Sequence, residues 1–185
     1  PRRRPGSGRG MTTGLRRSLG YLNWLFNPIQ RIGPAAIYEL LGTDAPTSRG
    51  LYLNLGYWAE AKVLEDACEA LVELVGHTAG LTENDRVLDC GYGFGEQDLF
   101  WARHFRPTKI VGLNVTNSQV AHARRRVTTA GLDDQVDLRG GSATDIPFPE
   151  ESFDVVLALE SAFHFQTRTD FFREAYRVLR PGGRL

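Results

Sequence analysis

The sequence predicts an α/β fold, a doubly wound parallel sheet preceded by a helical cap. Three observations point there. Short apolar runs recur from residue 86 onward. Stretches of helical period separate them. A glycine run, Gly91-Tyr-Gly93-Phe-Gly95, joins the first apolar run to the helical stretch after it. Strands that alternate with helices make a parallel sheet with crossover helices. At 185 residues the chain suits one domain that buries roughly 70% of its unfolded surface.

Each element follows from its local pattern. Residues 1 to 20 are rich in Pro, Gly and Arg and form a basic arm too polar to order itself. They are read first as an extension upstream of Met11, with an organelle transit peptide as the weaker reading. Residues 21 to 58 form the cap, with two short helices broken at Pro28 and Pro34 and ended near Gly42, then a loop at 43 to 48. From Ala59 to Gly76, Ala61, Leu64, Ala67, Cys68, Leu71, Leu74 and Val75 share one helical face. Residues 59 to 185 are the core. Arg86-Val-Leu-Asp-Cys90 is a buried strand, Gly95 to Phe105 a helix, and Lys109 to Asn114 a second strand. A helix over Asn117 to Ala130 leads to a strand at Gln135 to Arg139. Phe153 to Leu159 is the fourth strand, and Arg168 to Leu179 a helix stopped by Pro181-Gly-Gly183. The final Gly-Gly-Arg-Leu185 reads as the entry to a fifth strand, which leaves the core incomplete at its carboxyl end.

Composition excludes several function classes. The 22 basic and 22 acidic residues cancel, but unevenly. Seven Arg and no acid lie in residues 1 to 38, so the rest carries 15 basic and 22 acidic groups, a net charge of −7. An acidic body argues against nucleic acid as partner. No apolar run of 18 residues exists, so stable membrane insertion is not expected. Cys68 and Cys90 stand alone in apolar surroundings, which suits a reducing cytoplasm. His77, His104, His122 and His164 have no ligand spacing with Cys, so no metal site is expected. No nucleophile elbow appears, and nothing specifies an oligomeric state. Arg124-Arg-Arg126 reads as a solvated helix face.

The strongest motif is Asp89-Cys-Gly91-Tyr-Gly93-Phe-Gly95. Glycines tolerate positive φ and let a ligand approach the backbone. A helix N-terminus adds unpaired N–H groups and partial positive charge, which suits a carboxylate or a phosphate. Asp89 nearby suits an ammonium group. Together they describe an amino-acid ligand better than a pyrophosphate. The dinucleotide fingerprint requires glycine at position 96, where the chain has Glu96.

This loop resembles the nucleotide loop of class I S-adenosylmethionine-dependent methyltransferases, whose sheet is Rossmann-like. The resemblance covers about residues 51 to 185, with its motifs in order. It implies S-adenosyl-L-methionine as cofactor, held by Asp89, Gly91, Gly93 and Gly95. The second strand ends in Asn114 where such folds usually carry the acid that holds ribose hydroxyls. Asn114-Val-Thr-Asn-Ser-Gln119 is similar to the cyclopropane-fatty-acid synthase-like and sterol methyltransferase-like branch, which implies cofactor roles for Asn114 and Gln119. The alternative for Gln119 is a helix-surface position. Gly141-Ser-Ala-Thr-Asp145-Ile-Pro-Phe148 resembles the adenine-side loop, which implies Ser142 and the Ala143 backbone N–H at the ring, with Asp145 a solvated turn residue.

Glu160 and His164 follow the fourth strand, where reacting groups collect in parallel sheets. They resemble acceptor-pocket residues of small-molecule methyltransferases. His164 is the candidate general base, and Glu160 orients it or bonds the acceptor. The alternative is that both are structural. Leu53-Asn-Leu-Gly-Tyr-Trp58 resembles the segment that closes the site, which implies that Asn54 and Tyr57 reach ligand. Core packing is the competing reading for Tyr57 and Trp58. A desolvated pocket of Tyr57, Trp58, Phe163 and Phe165 is expected around a sulfonium. The resemblance implies methyl transfer to a small hydroxylated or lipid-like acceptor, with O-methylation favoured. The alternatives are carbon methylation of an isoprenoid, quinone or alkene, and an inactive cofactor-binding fragment.

Overall fold

The computed structural model describes residues 51–185 together with Gly33, Ala36, Glu39, Thr47 and Gly50. The basic arm and the two expected cap helices lie outside the described residues. Residues 45–185 form one compact unit. Residues 51–58, read as the end of a helical cap, have irregular backbone and pack with this unit: Tyr52 and Asn54 are both buried.

In chain order the elements are α1 (Leu64–Thr78), β1 (Arg86–Cys90), α2 (Glu96–His104), β2 (Lys109–Asn114), α3 (Asn117–Thr129), β3 (Val136–Gly140), β4 (Phe153–Leu157), a 3-10 turn (Ala162–His164), α4 (Arg168–Val178) and β5 (Leu179–Arg184). The five strands form a parallel sheet in the order β3-β2-β1-β4-β5. Successive strand residues face opposite sides. Val87, Ile110, Val155 and Leu157 meet Cys68, Val72, Leu99 and Trp101 on one face. Leu88, Val111, Leu113 and Val156 meet Phe171, Ala175 and Val178 of α4 on the other. Helices cover both faces, as the near-continuous apolar strands require.

Three boundaries move. The first helix begins at Leu64, not Ala59, with Val63 extended ahead of it and Glu65 and Asp66 in its first turn, where the helix dipole favours acids. β4 stops at Leu157, because its pairing with β1 ends at Asp89↔Leu157. The fifth strand lies within the chain and starts at Leu179. Its register runs from Phe153↔Leu179 to Val155↔Arg184, so the expected Pro-Gly-Gly turn is an irregularity inside the strand. An edge strand tolerates that proline. Arg180 bonds Asp154 at 2.8 Å, and Arg184 bonds Asp85 at 2.8 Å. α4 opens with a capping box, in which Thr167 accepts from the Asp170 N–H and the Asp170 side chain accepts from the Thr167 N–H.

Candidate active site

Strand order reverses between β1 and β4, and the crevice outside the carboxyl ends at such a point is where parallel sheets bind ligands. The loop after β1 passes through Gly91, Gly93 and Gly95, with φ of 96°, 58° and 76°. At Gly91 a side chain is doubly excluded: φ is left-handed, and a Cβ there would stand 2.4 Å from the Ser161 Cβ. At Gly95 it would stand 2.7 Å from Leu138 of β3. The loop is thus pressed between β3 and the chain leaving β4. It is tied down by Gly91 N–H to Leu113 at 2.8 Å, Ser161 hydroxyl to the Cys90 carbonyl at 2.5 Å, and Tyr92 hydroxyl to the Arg139 carbonyl at 3.0 Å.

Asp89 is wholly enclosed beneath the loop and accepts from Gln97 Nε2 at 2.8 Å. Burial, opposed by its hydrogen bonds, pushes its carboxyl up to about 7. Asp98, in the first turn of α2, is equally enclosed and also pushed up, by burial and by Asp89. Asp89 thus faces Gln97 and Asp98 in this arrangement.

The other predicted residues fall along the same edge. Asn114, at the end of β2, donates to the Gly93 carbonyl at 3.1 Å and to Gln119 Oε1 at 2.9 Å, and accepts from the Thr116 N–H at 3.2 Å. Both its amide hydrogens are committed to the protein. Gln119 is 3% exposed, which overturns the helix-surface alternative. After β3, Ser142 is half-buried and pairs with Thr144 Oγ1 at 2.9 Å, while Ala143 packs into the core. Asp145 is exposed, and its N–H reaches the Ser142 carbonyl at 3.4 Å.

Past β4, Glu160 has a left-handed φ of 46°, an unusual conformation for a residue with a side chain. Its carboxylate accepts from the Leu55 N–H at 2.9 Å. His164 ends the 3-10 turn, half-buried, with its ring 4.3 Å from Phe163. Burial lowers its pKa below the usual histidine value. Asn54 lies 4% exposed; its amide donates to the Cys68 carbonyl at 3.4 Å and its Oδ1 accepts from Gly56 N–H at 3.0 Å. Its polar ends therefore turn inward.

Two expectations are corrected. Tyr57 and Trp58 are 47% and 52% exposed, so neither is a core residue. Among the described residues the expected desolvated aromatic pocket is not enclosed either: Phe163 is also exposed, and Phe165 packs 4.9 Å from Phe171. The Trp58 indole N–H bonds the nearby Leu55 carbonyl at 2.8 Å on the surface.

The structure also supplies residues the sequence reading passed over. Arg126, read as solvated, donates to the Phe94 carbonyl at 3.0 Å and to Glu96. Glu96 accepts in addition from the Leu51 N–H at 2.6 Å. Residues 51, 53 and 55 thereby cross the site: Leu51 bonds α2, Leu53 abuts Gly93, and Leu55 bonds Glu160. The available signal for Arg126 was its place beside Val127 on the inward face of α3, seven residues after Gln119.

Comparison with known proteins agrees with this geometry. The methyltransferase domain family matches residues 88–185. Erythromycin 3''-O-methyltransferase of Saccharopolyspora erythraea is 45% identical over 148 residues, 79% of this chain and 48% of that protein. The 27-O-demethylrifamycin SV methyltransferase of Amycolatopsis mediterranei is 39% identical over 74% of this chain and 50% of its own length. Among solved structures, the [4+2]-cyclase SpnF superposes with a TM-score of 0.67 at 32% identity, covering 71% of this chain and 48% of that one. Geranyl diphosphate methyltransferase gives 0.61 at 27% identity, over 65% of this chain and 44% of its own. The chain belongs to the class I S-adenosylmethionine-dependent methyltransferase family. It spans about half the length of the curated relatives it matches. A cyclase on the same fold shows that fold membership does not by itself set the reaction.

The loop suits the family's cofactor on two counts. Three alternate glycines of left-handed φ lead into the N-terminus of α2, a place for a carboxylate. Amide and hydroxyl side chains, groups of the chemistry that a ribose or a purine would bond, follow at the ends of β2 and β3.

Proposed function

We propose that this chain holds the S-adenosylmethionine site of an enzyme that methylates an oxygen of a small hydroxylated or lipid-like metabolite. The observation that carries the reading is the order of candidate residues along the sheet edge. Ser142 and Ala143 follow β3, Asn114 and Gln119 follow β2, the glycine loop follows β1, and Glu160 and His164 follow β4. On this reading the adenine, ribose and amino-acid ends would lie in strand order, the order in which those parts of the cofactor are bonded, with the acceptor beside the β4 end. The bound cofactor would supply an electrophilic methyl group on a sulfonium.

The chain's residues do the rest. The glycine loop and the α2 N-terminus receive the amino-acid end, Gln119 serves the ribose with Asn114 holding it and the Gly93 carbonyl in place, and the 142–143 backbone faces adenine. His164, neutral near pH 7 because burial lowers its pKa, takes the acceptor hydroxyl's proton as that oxygen attacks. Glu160 holds the crossing segment through Leu55 and sets the acceptor wall beside His164. The protein's main contribution is alignment of acceptor and methyl group. The names of the relatives support an oxygen acceptor, since the erythromycin and resE enzymes are O-methyltransferases. A carbon acceptor is the second reading, favoured by the sterol 24-C-methyltransferase of Eremothecium gossypii, 38% identical over 59% of this chain.

Calorimetric titration with S-adenosylhomocysteine tests the cofactor site, with Gly93→Arg as control, because a side chain there would strike Leu53. Saturable binding that the control loses supports the reading. No binding by a folded chain overturns it for this chain.

A further inference from the structure

Three side-chain oxygens buried under the glycine loop have no hydrogen-bond donor in the structure: Asp89 Oδ1 and both oxygens of Asp98. Both residues have zero exposed surface. An enclosed carboxylate without donors is costly, and two side by side more so. The two carboxyls share the enclosed space between the end of β1 and the first turn of α2, and the charge of Asp89 pushes the Asp98 carboxyl up. A proton shared between them turns one acceptor into a donor and removes the conflict, leaving one negative charge, which Gln97 Nε2 also contacts.

We propose that Asp98 is a positioning residue, which shares one proton with Asp89 and so clamps the first turn of α2 to the end of β1 around the glycine loop. The proposal rests on the cofactor reading only for its functional consequence. Loss of the shared proton puts two charges into one closed space and loosens the clamp, so the site weakens as pH rises. The titratable groups facing the pair are Cys90 of β1 and Tyr92 of the loop. Arg124 of α3 and Asp137 of β3 face Tyr92. Burial raises Cys90 and Tyr92 well above their usual ranges, so both stay neutral across the window concerned.

The sign follows from proton counting. Both carboxyls bind protons more tightly folded than unfolded, so the folded chain holds the extra proton above about pH 4 and stability falls as pH rises through the pair's titration. The test compares the 185-residue chain with Asp98→Asn, by urea unfolding and by S-adenosylhomocysteine titration at several pH values. The Asn amide keeps a donor to Asp89 without a shared proton. The expected result is a stability that declines with pH in the native chain, a flatter profile in Asp98→Asn, and ligand affinity that falls about tenfold more over that range in the native chain than in the variant. An unchanged slope in Asp98→Asn overturns the proposal. Should that variant not fold, Asp89→Asn gives the same comparison of unfolding slopes. A flattened unfolding profile with no ligand binding by any chain upholds the clamp and sinks the cofactor reading instead.

Discussion

Gly91 and Gly80 both have left-handed φ, 96° and 60°, but only Gly91 is also crowded, against Ser161. Gly80→Ala meets open space and is expected to cost about 1 kcal/mol, from backbone strain alone. Gly91→Ala adds a steric clash and is expected to cost about 3 kcal/mol. Equal losses in urea unfolding would mean that the Ser161 contact is relieved for free. His164 carries the second prediction at this scale. A base acts when neutral, and burial lowers its pKa, so turnover on a hydroxyl acceptor should fall on the acid side below the ordinary value of 6.5. His164→Gln is expected to reduce kcat about 100-fold and abolish that acid limb. A retained limb would assign it to another group.

Arg126 joins α3 to the loop and to α2 at once, through the Phe94 carbonyl and Glu96. A planar guanidinium with several donors reaches two acceptors at once, and an ammonium on a flexible stem does so poorly. Arg126→Ala is expected to weaken S-adenosylhomocysteine binding about tenfold, and Arg126→Lys to restore little of it. Full rescue by Lys would reduce the residue's role to charge. α4 depends on its capping box, so Thr167→Ala should cost about 1 kcal/mol in unfolding while leaving ligand affinity unchanged. The strands were legible from the sequence because strands buried on both faces read as short apolar runs. The start of α1 was not: Ala59 to Val63 continue the periodic pattern, yet the backbone turns helical only at Leu64.

For the whole chain, ligand binding and folding are linked. S-adenosylhomocysteine at about 100 times its Kd should stabilise the folded state by about 2.7 kcal/mol. That corresponds to a rise in Tm of roughly 6–10 °C for a chain of this size. Differential scanning calorimetry should show it for the native chain and not for Gly93→Arg. Among the described residues no helix is long and apolar enough to cross a membrane.

The sequence alone determined the order of strands and helices, the glycine loop, and the family. The elements reside in neighbouring residues, in short apolar runs, a period of 3.6 and a run of glycines after a strand, and the family in the resemblance of the motifs taken in order. Only tertiary structure decided which polar groups meet. Leu55 bonds Glu160 across 105 residues, and Arg126 bonds Phe94 across 32. Asp98 looks like any acid in a helix's first turn until β1 places Asp89 against it in a closed space. For Tyr57 and Trp58 the sequence left ligand contact and core packing both open, and the fold stands them at the surface. Burial is a property of what folds over a residue, so no local pattern carries it.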